Sequence, residues 1–179
     1  MKVLFTGGGT AGHVTPNLAL IKACTGRNIR CAYIGSYNGI EARLLENTEV
    51  PYFAIPTGKL RRYFSWENFF DPIKILIGCF KACFLIIRLK PDVVFSKGGY
   101  VAVPVVIAAR LLNVPVICHE SDMTPGLANR ICFPFAKKIC VNFPTSLTRV
   151  PADKGLLTGT PVRKSLLSGE ANKARELMS

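Results

Sequence analysis

Lys2-Val3-Leu4-Phe5-Thr6-Gly7-Gly8-Gly9-Thr10-Ala11-Gly12-His13-Val14-Thr15-Pro16 opens the chain with an apolar strand pattern that breaks into glycines just before a helix-length segment. Glycine tolerates positive φ and lets the backbone approach a ligand, so the strand can turn sharply here. The first N–H groups of the following helix have no helical partner and face the corner, which suits phosphate oxygens. Gly7, Gly9 and Gly12 satisfy GxGxxG. A dinucleotide site also expects an acid near the end of the second strand, to hold a ribose. That strand ends Ile34-Gly35-Ser36-Tyr37, and the first acid, Glu41, lies farther on within a predicted helix. The nucleotide P-loop requires Gly-Lys-Ser/Thr, where this chain has Gly12-His13-Val14. The corner therefore reads as an anion-accepting turn of neither kind, with a ligand-free glycine turn as the bland alternative. Pro16 fits a first-turn proline. His13 stands at the mouth of the turn and reads as ligand-facing, able to accept a proton near pH 7; a satisfied structural histidine is the other option.

Outward from this corner, short runs rich in valine and isoleucine alternate with helix-length segments. Lys2–Thr6, Arg30–Ile34, Pro51–Ile55, Asp92–Ser96, Pro115–His119 and Lys138–Asn142 are predicted strands, with a weaker seventh at Gly155–Thr158. Most are continuously apolar rather than alternating, as in a parallel sheet covered on both faces. Thr15–Cys24, Gly39–Leu45, Phe69–Leu89, Val101–Leu112 and Gly126–Phe133 are predicted helices. The rhythm gives an α/β fold with a doubly wound parallel sheet, whose ligands belong beyond the carboxyl ends of the strands.

Two later loops fall at such ends. Ser96-Lys97-Gly98-Gly99-Tyr100 is a second glycine turn, able to offer backbone donors to a diphosphate from another side, with Tyr100 either packing on a sugar or filling the loop. The fifth strand runs into His119-Glu120-Ser121-Asp122-Met123-Thr124-Pro125-Gly126-Leu127-Ala128-Asn129-Arg130. His119, Glu120 and Asp122 lack metal-ligand spacing, so no metal is expected. Asp122 or Thr124 fits a helix cap before Pro125. Glu120 either binds a sugar hydroxyl or holds its loop.

The chain has 179 residues, 49% of them hydrophobic, enough for a substantial core and far from a disordered composition. Its net charge of +12 favours an anionic partner, whether a phosphorylated small molecule, an acidic membrane or nucleic acid. No nucleic-acid motif accompanies the charge, and none is expected as a partner. The seven cysteines are odd in number, contain no CxxC pair and sit in apolar runs, so they read as buried thiols of a reducing compartment. The chain starts directly in a strand pattern, so no secretory leader is expected. The stretch Ile73–Leu89 is interrupted by Lys74, Lys81 and Arg88, which argues against a spanning helix. On a helical projection Phe69, Ile73, Leu76, Phe80, Cys83, Phe84 and Ile87 share a face. Much of it is expected to cover the sheet. Its edge, with the aromatic-basic approach Lys59–Trp66, fits rest on anionic lipid. After Gly159-Thr160-Pro161-Val162-Arg163, the polar stretch Lys164–Ser179 resembles a linker beyond a domain boundary.

Together GGGTAGHVTP at Gly7–Pro16, KGGYVAVP at Lys97–Pro104, HESDMTPGLANR at His119–Arg130 and GTPVR at Gly159–Arg163 closely resemble the N-terminal domain of the MurG family, in family order across nearly the whole chain. The resemblance implies a GT-B architecture of two Rossmann-like domains facing a cleft. Residues 1–160 would form the acceptor-binding domain, and 161–179 the linker toward a C-terminal donor domain missing here. It implies transfer of N-acetylglucosamine from the donor UDP-N-acetylglucosamine, with no bound cofactor, to a lipid-linked muramoyl-pentapeptide in peptidoglycan synthesis. The setting would be the cytoplasmic face of the bacterial plasma membrane, with peripheral attachment to an anionic surface.

The family's loop histidine falls on His13, a candidate base, with Glu120 or Asp122 assisting. Its substrate contacts fall on Thr10, Ala11, Gly12, Gly98, Gly99, Tyr100, Asp122, Asn129 and Arg163. Two departures weaken the match. Asp122 replaces an asparagine amide donor, and Thr160 replaces the asparagine of the junction motif. Without the donor domain, little turnover is expected. Competing readings are another two-domain lipid-linked glycosyltransferase and a non-catalytic anion- or acceptor-binding domain.

Overall fold

The valine- and isoleucine-rich runs all form strands in a computed structural model that describes residues 1–58 and 67–163. Lys59–Trp66, Lys164–Ser179 and the side chain of Phe69 lie outside the described residues. The strands are β1 (Lys2–Thr6), β2 (Arg30–Ser36), β3 (Tyr52–Ile55), β4 (Val93–Ser96), β5 (Val116–Glu120), β6 (Lys138–Val141) and β7 (Gly155–Leu157). The helices are α1 (Ala11–Thr25), α2 (Ile40–Leu45), α3 (Glu67–Leu89), α4 (Ala102–Leu111) and α5 (Leu127–Cys132). Two 3-10 turns, Phe133–Phe135 and Pro144–Arg149, also form, the second unforeseen from sequence.

All neighbouring strands pair parallel, in the order β3-β2-β1-β4-β5-β6-β7. Chain direction through the sheet reverses at β1, so β1 and β4 lie side by side at the switch point, Thr6 opposite Ser96. Both glycine corners leave the sheet there. Alternation along β1 sends Val3 and Phe5 to one face and Leu4 to the other. The first face packs with Ile21 of α1, Tyr33 and Leu45 of α2. The second packs with Ala82, Leu85 and Ile86 of α3, the apolar α4 and Cys132 of α5. Helices on both faces explain why the strand sequences do not alternate in polarity.

Two helices differ from their sequence reading. α1 begins at Ala11, a turn earlier than expected, after Thr10 as an extended N-cap that makes no side-chain cap bond. Pro16 is therefore an interior helical proline rather than a first-turn one. α3 turns its small side toward the protein: Gly78, Ala82, Leu85 and Ile86 are buried, while Ile73, Leu76, Phe80, Phe84 and Ile87 are all more than half exposed. A Cβ at Gly78 would run into the Pro56 carbonyl, so glycine is what lets α3 sit this close. The bulky face expected to cover the sheet largely points away from it. Among the described residues, no helix is long and apolar enough to cross a membrane.

Candidate functional site

The two glycine corners meet. Lys97 N–H donates to the Thr6 carbonyl at 3.0 Å and Gly8 N–H to the Gly98 carbonyl at 3.3 Å. Gly99 has φ +81°, and a Cβ there would strike the Gly8 carbonyl, so only glycine allows the contact. The Tyr100 ring lies over the first corner, where a Cβ on Gly9 would come within 2.6 Å of it. Tyr100 thus fills the seam between the loops, and its burial pushes the phenol above its usual range.

These contacts divide the corner amides into committed and uncommitted sets. Gly8 N–H is bonded to Gly98, Gly9 N–H to the Glu41 carboxylate at 3.3 Å and Gly98 N–H to Ser96 Oγ at 3.3 Å. The N–H groups of Thr10, Ala11 and Gly12 have no partner among the described residues, and all three residues are exposed. The donors of this corner left open to an anion therefore include the first turn of α1, while Gly8 and Gly9 in the run before it are already bonded.

Glu41 stands where the sequence reading found no acid. From α2 its carboxylate reaches back to the end of β2, accepting from Ser36 N–H at 2.9 Å, Ser36 Oγ at 2.5 Å and Gly9 N–H. It is fully buried. The acid near the end of the second strand is thus present in space although displaced in sequence. With its oxygens occupied and no solvent access, it braces the first corner instead of presenting itself to a ribose. The signal was Asn38-Gly39, a turn that starts α2 early enough to fold its second residue back on the strand.

His13 is half-buried in the first turn of α1, beside the uncommitted amides. Its Nδ1 is buried without a partner among the described residues. Burial, then the positive charge of Lys97, hold its pKa below the usual 6.5, while the Lys97 carbonyl, Glu120 and Asp122 pull the other way. The imidazole is consequently neutral near pH 7 and able to accept a proton.

The loop after β5 is organised by Glu120. One of its oxygens accepts from Asp122 N–H at 2.9 Å, the other from Gly126 N–H and Asn129 Nδ2, each at 3.0 Å. Asn129 also donates to the His119 carbonyl at 3.2 Å, and a Cβ at Gly98 would come within 2.5 Å of its Oδ1. Both residues are buried, 3% exposed each. Of the two roles open to Glu120, holding the loop is the one its contacts describe. Asp122 is exposed, with Ser121 Oγ 3.5 Å from its Oδ1. His119 does not join a ligand set with Glu120 and Asp122. Its ring packs near Phe95, and its Nε2 lies 3.0 Å from the Gly159 carbonyl, so Nε2 carries the hydrogen. Asn142 bridges the Ser121 carbonyl at 3.1 Å to the Thr160 hydroxyl, joining the β5 loop to the segment leaving the domain. Arg163 is exposed on that segment, away from any hydrogen bond described here.

Lys97, overlooked among the site residues, completes the cluster. It is fully buried at the end of β4, its Nζ donating to Ser121 Oγ at 3.0 Å. The structure thus brings Thr10–His13, Gly98–Tyr100 and the Glu120 loop to one end of the sheet, and leaves Arg163 at the exit. The seven cysteines are free thiols, with Cys118 pushed up to about 12 by burial.

Comparison with known proteins bears on the family and the fold. The chain is 55% identical over 176 residues to a UDP-N-acetylglucosamine–N-acetylmuramyl-(pentapeptide) pyrophosphoryl-undecaprenol N-acetylglucosamine transferase of Clostridium botulinum, covering 98% of this chain and 49% of that protein. It is 56% identical over 172 residues to the like-named protein of Lachnoclostridium phytofermentans, covering 96% of this chain and 48% of that one. The chain therefore spans about half the length of the curated relatives it matches. Among solved structures, MurG of Acinetobacter baumannii superposes with TM-score 0.76 at 32% identity, over 96% of this chain and 47% of that one. Residues 3–141, which run from β1 through both corners and the Glu120 loop to the end of β6, match the glycosyltransferase family 28 N-terminal domain, and the chain belongs to that family.

Proposed function

We propose that this chain is the acceptor half of an inverting N-acetylglucosaminyltransferase that uses UDP-N-acetylglucosamine and a lipid-linked muramoyl-pentapeptide. A single displacement is envisaged. The C4 hydroxyl oxygen of the muramoyl sugar forms a bond to the anomeric carbon of N-acetylglucosamine, the bond from that carbon to the diphosphate oxygen breaks, and its electron pair leaves with uridine diphosphate. His13 takes the hydroxyl proton. The uncommitted Thr10, Ala11 and Gly12 amides hold acceptor phosphate oxygens, with Gly98, Gly99 and Tyr100 forming the adjoining wall. Glu120 and Asn129 set the shape of the loop carrying Asp122. Arg163 lies on the path to a second domain that carries the nucleotide sugar, and closure of the two domains excludes water.

The observation that carries this reading is a half-buried His13 in the same helical turn as three amides without partners among the described residues, at the switch point of the sheet. The names and identities of the two clostridial relatives support the substrate pair. The test is turnover of the intact two-domain enzyme carrying His13→Ala. A loss of roughly 100-fold or more is expected for removal of a general base, and near-normal turnover rules the assignment out. Because the His13 pKa is held below 6.5, protonation of His13 should lower kcat/KM only on the acid side of that value and leave it independent of pH above.

The exposed apolar face of α3 is proposed to rest on the cytoplasmic surface of the membrane. Its bulky residues enter the interface, and Lys74, Lys81 and Arg88 stand toward anionic headgroups. Lys74 lies 3.7 Å from Asp71, so part of this charge is locally compensated, and Lys81 donates to the Tyr37 hydroxyl at 2.6 Å. Flotation with acidic and neutral liposomes checks the proposal; equal failure to bind either overturns it.

A further inference from the structure

Pro16 weakens α1 just where the proposed chemistry needs it firm. Proline has no N–H, so the Gly12 carbonyl, four residues back, meets no helical donor at that step. The first turn, residues 11–15, is therefore less securely joined to the helix behind it. That turn carries His13 and, at its open end, the Thr10, Ala11 and Gly12 amides. It also starts without a side-chain cap bond. Burial of Val14 and Pro16 holds it against the protein, but apolar contact does not set direction.

Asn17 supplies the directional tie. It lies four residues after His13, on the same side of α1 one turn along, and is fully buried. Its Nδ2 donates to the Thr6 carbonyl and to the Tyr33 hydroxyl, each at 3.1 Å. The hydroxyl extends the tie by donating to the Gly7 carbonyl at 2.6 Å. Tyr33 is itself fixed, opposite Phe5 in the β1–β2 register and stacked on the Tyr52 ring with centroids 6.0 Å apart. Thr6 also accepts from Lys97 N–H at 3.0 Å, so one carbonyl is shared by α1 and the second glycine corner.

For stability alone an amide is a poor choice at this position. The Thr6 carbonyl fixes its orientation, because turning it over would set oxygen against oxygen. Its Oδ1 is then buried without a partner among the described residues. An acceptor left in that state costs free energy that an apolar side chain of similar size would not. What only the amide provides is direction.

We propose that Asn17 is a positioning residue of the transfer reaction: by tying α1 to the Thr6 carbonyl and, through Tyr33, to the Gly7 carbonyl, it aims His13 and the three amides beside it at the acceptor. This role rests on the proposed function, with His13 as the base.

Asn17→Leu separates it from a merely structural part. Leucine keeps the size and removes both donors together with the stranded Oδ1. The Thr6 carbonyl keeps its bond from Lys97 N–H, and the Gly7 carbonyl its bond from Tyr33. The urea midpoint of the chain should therefore hold or rise. In the intact two-domain enzyme, kcat at saturating acceptor should fall roughly 10- to 100-fold. Turnover lost in step with a lowered urea midpoint overturns the inference, as does an unchanged kcat. In a His13→Ala background the same substitution should lower kcat by less than about threefold, because the group it aims is gone. An equal loss in both backgrounds overturns the role of Asn17 and leaves His13 as the base. Near-normal turnover of His13→Ala alone overturns the base assignment and this role with it. The acceptor KM should rise in both backgrounds, since the amides turn with the helix, and a fixed KM overturns that half of the proposal. Should Asn17→Leu fail to fold, Tyr33→Phe keeps the ring and removes only the hydroxyl link. It should lower kcat about 3- to 10-fold, and not measurably when His13 is alanine; an equal loss in both overturns the inference.

Discussion

Glu41 shows how a single side chain can brace a site without entering it. Its carboxylate accepts from Ser36 N–H, Ser36 Oγ and Gly9 N–H in a place closed to water. Glu41→Ala strands these donors and should lower stability by about 2–4 kcal/mol, measured by urea unfolding, since buried donors to a charged acceptor lose their only partner. Glu120→Ala should act differently. Removing the acceptor of Asp122, Gly126 and Asn129 frees the loop, so hydrogen exchange at Asp122 and Gly126 should quicken while β1 and β4 stay protected. From the sequence, Glu120's role stayed open between a sugar contact and its loop, and Glu41's was missed. Glu41 reads as a helix residue too late in the chain to serve the second strand, and only the tight Asn38-Gly39 turn brings it back. Lys97 reads as part of a glycine motif because burial, which gives it meaning, is a property of three converging loops. His13, read as standing at the mouth of the turn, lies one step farther on, inside the first turn of α1.

Among the elements, α3 separates apolar character from core position. Ala82 and Gly78 are buried against the protein, whereas Phe80 and Phe84 are 69% and 63% exposed. Phe80→Ser and Phe84→Ser should each change unfolding stability by less than about 0.5 kcal/mol while weakening attachment to acidic liposomes. Ala82→Leu should do the reverse, losing about 1–3 kcal/mol by overpacking while leaving attachment intact. The strands were readable almost to the residue, because a sheet covered on both faces demands uninterrupted valine and isoleucine. The inward side of α3 was not, since both of its faces are apolar and periodicity says nothing about which one is narrow enough to pack. The start of α1 was missed because its first turn contains Gly12, which reads as a continuation of the glycine loop.

Across the whole molecule, both histidines have pKa values lowered by burial. The unfolded chain therefore binds protons that the folded chain refuses, and the histidine contribution to stability is present above 6.5 and lost as pH falls below it. The urea midpoint should drop between about pH 7.5 and about pH 5.5, and the double variant His13→Asn, His119→Gln should show a flatter dependence. The doubly wound parallel sheet was inferred from alternation of strand and helix, whereas the contact between the two corners was not, because it joins residues some ninety positions apart. That contact has a further consequence. With the Gly8 carbonyl lodged against Gly99 and Tyr100 laid over Gly9, the rim formed by these loops is tied together without a ligand, so under the proposed function little ordering entropy is lost on docking. A rim built in this way discriminates by shape, and a lesion on either side deforms its neighbour as well.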